Sequence, residues 1–157
     1  MVKKKILVTG ANGLLGQKIV YNLKNRTDVT LLACSRGVNR LIETNGYKYI
    51  ELDITNKNEV KNVISLEKPD AVINCAAMTN VDKCENYQKE CWEINVNAVE
   101  NIAVSCESIK AHVLHLSTDF VFDGTAGPYN ENDKPNPLHF YAESKLKSEE
   151  IIQKTLT

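Results

Sequence analysis

The chain predicts an α/β fold, a doubly wound parallel sheet of at least five strands, and two observations carry that prediction. Strand-like apolar runs alternate with segments of helical period along its length, the pattern of strands joined by crossover helices. The first run, Ile6-Leu7-Val8, is continuous and stops at a glycine-rich turn, as a strand buried on both faces does.

The elements follow in order. A helix is predicted from Leu14 to Lys24, with Ile19, Val20 and Leu23 on one face. Val29 to Ala33 reads as the second strand and Tyr47 to Leu52 as a weaker third. Asn56 and Glu59 have the spacing of a capping box. Val60, Val63 and Ile64 continue at helical period until Pro69 ends the helix. Ala71-Val72-Ile73 is the fourth strand. A long helix is predicted from Tyr87 to Ser108, with Ile94, Ala98 and Ile102 on one stripe, and His112 to Leu116 is the fifth strand. Gly, Pro, Asn and Asp crowd Asp123 to Pro137, a length that suits a functional loop rather than a domain boundary. The last helix begins near Phe140.

Bulk properties narrow the function. The 157 residues suffice for one domain with a sizeable core. Apolar content of 43% and charged content of 25% belong to an ordinary soluble globule. A net charge of −1 provides no basic footprint for nucleic acid or anionic lipid. The lysines at the start precede an apolar run that stops at Thr9-Gly10, too short for a signal segment, and no run reaches membrane-spanning length. Cys34, Cys75, Cys84, Cys91 and Cys106 are odd in number and form no Cys-x-x-Cys pair. Buried, reduced thiols in a cytoplasmic protein are the expectation. His112, His115 and His139 lack metal-ligand spacing and read as two strand residues and a loop residue.

The turn Thr9-Gly10-Ala11-Asn12-Gly13-Leu14-Leu15-Gly16 joins the first strand to the first helix. Gly10 permits the tight turn, Gly13 lets the backbone approach a pyrophosphate, and Gly16 lets the helix pack close on the sheet. An anion then rests on free N–H groups at the helix start, around Asn12, Leu14 and Leu15. This context predicts dinucleotide binding in a Rossmann-type domain. An NAD site usually places an acid at the end of the second strand. Cys34-Ser35-Arg36 stands there instead, and a guanidinium forks well onto a 2′-phosphate. NADPH is favoured, with NADH as the alternative.

Tyr141 and Lys145 lie four residues apart, hence on one face of a helix. An ammonium near a phenol favours the phenolate and lowers its pKa, which makes the phenol a better proton donor to a carbonyl oxygen. The same spacing also occurs on solvated helix faces. Ser117-Thr118 and Ala76-Ala77 follow the fifth and fourth strands, so both groups lie at the carboxyl edge where ligands bind in such sheets. A helix cap or turn is the competing reading of Ser117-Thr118, and a turn that of Asp119. Asp82 and Glu85 read as charges at a helix N-terminus.

The glycine turn, Ser117-Thr118-Asp119 and Tyr141-x-x-x-Lys145 occur in the order found in the extended short-chain dehydrogenase/reductase family. More narrowly, the chain resembles the dTDP-4-dehydrorhamnose reductases. That match rests on Asn74-Cys75-Ala76-Ala77, Thr79-Asn80-Val81-Asp82-Lys83-Cys84-Glu85 and Ser117-Thr118-Asp119-Phe120-Val121-Phe122-Asp123-Gly124. The resemblance implies that Tyr141 protonates the keto oxygen of a 4-keto sugar as hydride arrives from NADPH. Lys145 would hold the nicotinamide ribose and lower the Tyr141 pKa, and Thr118 with Ser117 would bind the carbonyl oxygen. Asp53 and Ile54 would lie by the adenine, Ala76, Ala77 and Thr79 along the cofactor, and Asn95 would support the site. Two departures stand out: Ala142 where many relatives have Gly, and Phe120 where sugar-nucleotide dehydratases carry a Glu. Such reductases are about twice this length. The expectation is therefore one domain over residues 1–157 that carries the cofactor and catalytic residues without the substrate domain.

The expected partner is a nucleotide-sugar, and a homodimer is compatible with the chain. Two other readings stay open. One is a non-catalytic NADP-holding regulatory module like the regulatory subunit of methionine adenosyltransferase. The other is a sugar-nucleotide epimerase, which calls for tightly held NAD and an acid after the second strand.

Overall fold

The computed structural model describes residues 2–156; Met1 and Thr157, the ends of the predicted domain, lie outside them. Its sheet contains β1 (Lys4–Thr9), β2 (Val29–Ser35), β3 (Lys48–Glu51), β4 (Ala71–Asn74) and β5 (His112–His115). All neighbours are parallel, in the order β3-β2-β1-β4-β5. The chain winds outward from β1 to β3, then crosses back to β4. The order therefore reverses between β1 and β4, and the crevice at that reversal is where open α/β sheets bind ligands.

Strand alternation divides the core. Leu7, Leu32, Val72 and Val113 face α2 (Lys57–Glu67), α5 (Ala98–Ile109) and α6 (Phe140–Leu156) through Val60, Ile64, Ile102 and Ile152. Val8, Leu31 and Ala33 face α1 (Leu14–Leu23) through Val20. Cys34, Cys84, Cys91 and Cys106 are buried and Cys75 is half-buried; all five thiols are free. No helix among the described residues is long and apolar enough to cross a membrane.

Three local details depart from expectation. The side chain of Asn56 accepts from the Asn58 and Glu59 N–H groups, as a cap should. The reciprocal bond of the capping box is absent, because the Asn56 N–H is given to the Asp53 carbonyl and Glu59 takes the Asp53 N–H. The helix predicted from Tyr87 to Ser108 is three pieces: α4 (Gln88–Trp92), a π-helical turn over Glu93–Asn97, and α5. The wider turn carries Asn95 inward, a common use of such a bulge. Finally, Asp82 and Glu85, read as charges at a helix N-terminus, belong to a short separate helix, α3 (Val81–Asn86), capped by the Asn80 side chain, which accepts from the Lys83 N–H at 2.8 Å.

Candidate active site

The glycine turn is built for close approach. Gly10 has φ +64°, and a Cβ there would lie 2.7 Å from the Ala76 nitrogen. A Cβ on Gly16 would lie 2.3 Å from the Gly10 carbonyl oxygen. Neither position admits a side chain. Gly13 begins α1 with no side-chain cap and no acid in the first turn, so the first amides of the exposed Leu14 and Leu15 remain for an anion. The Asn12 side chain has a task besides the one predicted for its backbone. It donates to the Val38 carbonyl at 2.9 Å and accepts from the Arg40 N–H at 2.9 Å, bracing the loop after β2.

A cleft of about 260 Å³ opens at this edge, lined by Gly10, Gly13, Arg36, Asp53, Ile54, Ala76 and Ala77. The structure thus brings these seven predicted residues together. Thr79 is exposed and is not among the lining residues. Arg36 is exposed at the rim with Ser35 beside it, and no carboxylate ends β2. Asp53 Oδ1 accepts from the Thr55 N–H and hydroxyl, at 3.0 and 2.8 Å. Glycines that a Cβ would fill, uncapped helix amides and a rim guanidinium fit a dinucleotide with a 2′-phosphate.

The predicted catalytic residues meet at the same edge. α6 buries both Tyr141 and Lys145. The Thr118 hydroxyl donates to Asp119 Oδ1 at 3.4 Å and accepts from the Phe120 N–H at 3.3 Å, near enough to the phenol to act on its pKa. Ser117 does not join it, because its hydroxyl is given to Glu149. Burial pushes the Tyr141 phenol up from its ordinary value, and the Thr118 hydroxyl pulls the other way. The lowering predicted from the pair's spacing is therefore not what this site displays. The Lys145 amine is instead engaged by β5 and the residue after it, 2.5 Å from the Leu116 carbonyl oxygen and 3.0 Å from His115 Nε2. Burial lowers Lys145 to about 8, opposed by Glu149.

Asn95 is 1% exposed. Its Oδ1 accepts from the Met78 N–H at 2.8 Å, and its Nδ2 donates to the Met78 carbonyl and the Ser144 hydroxyl, both at 3.0 Å. It thus ties the loop after β4 to α6 and supports the site from behind, rather than facing the cleft.

Three residues were missed as contributors. Glu85 accepts the Phe140 N–H at 2.6 Å, and His139 Nδ1 accepts the Ala142 N–H at 3.2 Å, so both hold the start of α6. His115 meets Asn74, Ser148 and Lys145. The loop after Phe122 is organised by Asp123, which accepts from Thr125, Tyr129 and Asn136. Those four bonds hold its carboxyl well below the usual range. For Glu85 the signal was its place in a motif; for His115 there was only strand alternation.

Comparison with known proteins agrees with this geometry. The family model of the RmlD substrate binding domain matches residues 4–157, and the chain belongs to that family. It is 34% identical over 149 residues to the bovine methionine adenosyltransferase 2 subunit beta, covering 95% of this chain and 42% of that protein. It is 35% identical over 149 residues to a dTDP-4-dehydrorhamnose reductase of Aggregatibacter actinomycetemcomitans, covering 94% and 46%. A crystal structure of the Bacillus anthracis dTDP-4-dehydrorhamnose reductase in complex with NADP superposes with a TM-score of 0.84 at 29% identity, covering 99% and 51%. The chain spans less than half the length of these curated relatives.

Proposed function

We propose that this chain is the cofactor-binding and proton-donating part of an NADPH-dependent reductase acting on the 4-keto group of a nucleotide-activated deoxysugar. One observation carries the reading: Tyr141 and Lys145 are buried together on α6 beside Thr118, at the same sheet edge as the glycine turn. NADPH, when bound, supplies the hydride. The chain's own residues do the rest. Tyr141 protonates the carbonyl oxygen and the Thr118 hydroxyl hydrogen-bonds the same oxygen. Lys145 holds the ribose hydroxyls with the donors that the Leu116 carbonyl leaves over. Arg36 takes the 2′-phosphate, which ranks NADPH above NADH.

The kinship with the methionine adenosyltransferase subunit supports a second reading, a regulatory module that holds NADP without turning over. A sugar-nucleotide epimerase is less well supported, because Ser35-Arg36 stands where its acid belongs. Thermal-shift titration tests the cofactor: a ligand that binds only the folded state raises its stability, and NADPH should shift the transition more than NADH. Equal shifts would remove the Arg36 argument. NADPH oxidation with a dTDP-4-keto-6-deoxysugar, in the protein that includes the rest of the relatives' length, tests the reaction. Binding without turnover would favour the regulatory module.

A further inference from the structure

Thr9, Asn74 and His115 are register partners on β1, β4 and β5. They sit on the face covered by α6, with Thr9 at 0% and Asn74 at 2% exposure. Their hydrogen bonds run in one direction. The Ala76 N–H donates to Thr9 Oγ1 at 3.4 Å, and the Thr9 hydroxyl donates onward to Asn74 Oδ1 at 2.5 Å. Asn74 therefore turns its Nδ2 toward His115 Nδ1, 3.1 Å away. That ring nitrogen must accept. A neutral imidazole has one donor and one acceptor, so the ring proton resides on Nε2. Nε2 lies 2.9 Å from Ser148 Oγ, whose hydroxyl is given to the Lys145 carbonyl at 2.6 Å. It also lies 3.0 Å from Lys145 Nζ.

We propose that this relay from Thr9 through Asn74 fixes the Nε2–H tautomer of His115, and that His115 thereby positions Lys145 and sets how readily it takes a proton. With its proton given to Ser148 Oγ, Nε2 has no lone pair to accept from the Lys145 amine 3.0 Å away, and the lack of that acceptor disfavours the ammonium and favours the free base. Burial and the Lys145 charge hold His115 down to about 4, so the ring is neutral at physiological pH. Burial, opposed by Glu149, already brings Lys145 to about 8. Of the other titratable groups on α6, Glu149 acts in the opposite direction and favours the ammonium, while the Tyr141 phenol is held protonated by burial. The catalytic meaning of this tuning rests on the reductase reading; the hydrogen-bond logic does not.

The test is NMR of the isotope-labelled chain, without cofactor or substrate. Long-range proton–nitrogen correlations show which ring nitrogen carries the proton, and the Lys145 Cε shift follows its titration. Wild type should show Nε2–H at His115. Thr9→Val removes the hydroxyl that orients Asn74, adds no charge and lies away from the amine. The amide is then free to flip, the Nδ1–H tautomer becomes populated, and Nε2 accepts from the ammonium. The Lys145 midpoint should rise by about one unit, tenfold in proton affinity. Thr9→Ser, which keeps the hydroxyl, should match wild type. An Nδ1–H tautomer in wild type overturns the proposal, as does an unmoved Lys145 midpoint in folded Thr9→Val. Should Thr9→Val fail to fold, the wild-type tautomer decides alone. A failed reductase assay leaves the relay standing, and a wrong tautomer leaves the reductase reading standing.

Discussion

Leu7, Val72 and Val113 sit side by side across β1, β4 and β5, and Thr9, Asn74 and His115 sit side by side one rung nearer the carboxyl edge. Both rungs lie on the same face of the sheet and under the same helices. The lower rung is apolar and closely buried, at 1%, 0% and 9% exposure, and its contribution is removal of surface from water. The upper rung is polar, and each buried group on it is satisfied by a neighbour. Burying polar groups costs free energy that their bonds only offset. The comparison teaches that the sheet devotes one rung to stability and the next to orienting the residues around Lys145.

The sharpest way to separate the rungs is at the chemistry. Tyr141→Phe, in the protein that includes the rest of the relatives' length, should lower turnover by about 10²–10⁴-fold while leaving the thermal midpoint near wild type. Turnover that survives unchanged would sink Tyr141 as the acid. Leu7→Ala should do the converse. It should cost about 2–5 kcal/mol in urea unfolding, with the NADPH dissociation constant of the folded protein little changed. A matching loss of affinity would show that the rungs are not separable.

The next effect is in pH. His115 titrates at about 4 when folded against 6.5 when free. Between those values the unfolded chain binds the proton more readily, so stability falls as pH drops from 6.5 toward 4, by roughly 3 kcal/mol at most. Lys145, lowered to about 8 from 10.5, has the same sign, and stability is regained as pH rises through that window. Urea midpoints against pH for wild type and His115→Leu check the acid side, where the variant should lose the His115 portion of the slope. The smallest effect lies outside both rungs: Asn80→Ala removes the α3 cap and should cost about 1 kcal/mol, read as a shift in urea midpoint without a change in pH dependence.

Much of the fold was legible because its signals are local. Continuous apolar runs marked β1 and β4, and Asn56 marked the start of α2. The glycine turn was legible for the same reason, since strand, turn and helix are contiguous. The break at Glu93–Asn97 was not, because a π-helical turn keeps the apolar stripe of an ordinary helix and only the need of the Met78 backbone for Asn95 selects it. Ser117 and Thr118 were indistinguishable as neighbours. Packing separates them, sending one hydroxyl to Glu149 and the other to Asp119.

What the sequence determined by itself was therefore the order of elements, the glycine turn and the candidates proposed as reactive side chains, because residue type and spacing along one segment suffice for each. Only the tertiary structure decided their states. The register of β1, β4 and β5 places Thr9 and His115 on either side of Asn74 across 106 residues of chain. Burial between α6 and its neighbours then raises Tyr141 and lowers Lys145 and His115. Hydrogen-bond direction and desolvation depend on neighbours that strand pairing brings together, and no spacing within a single segment encodes them.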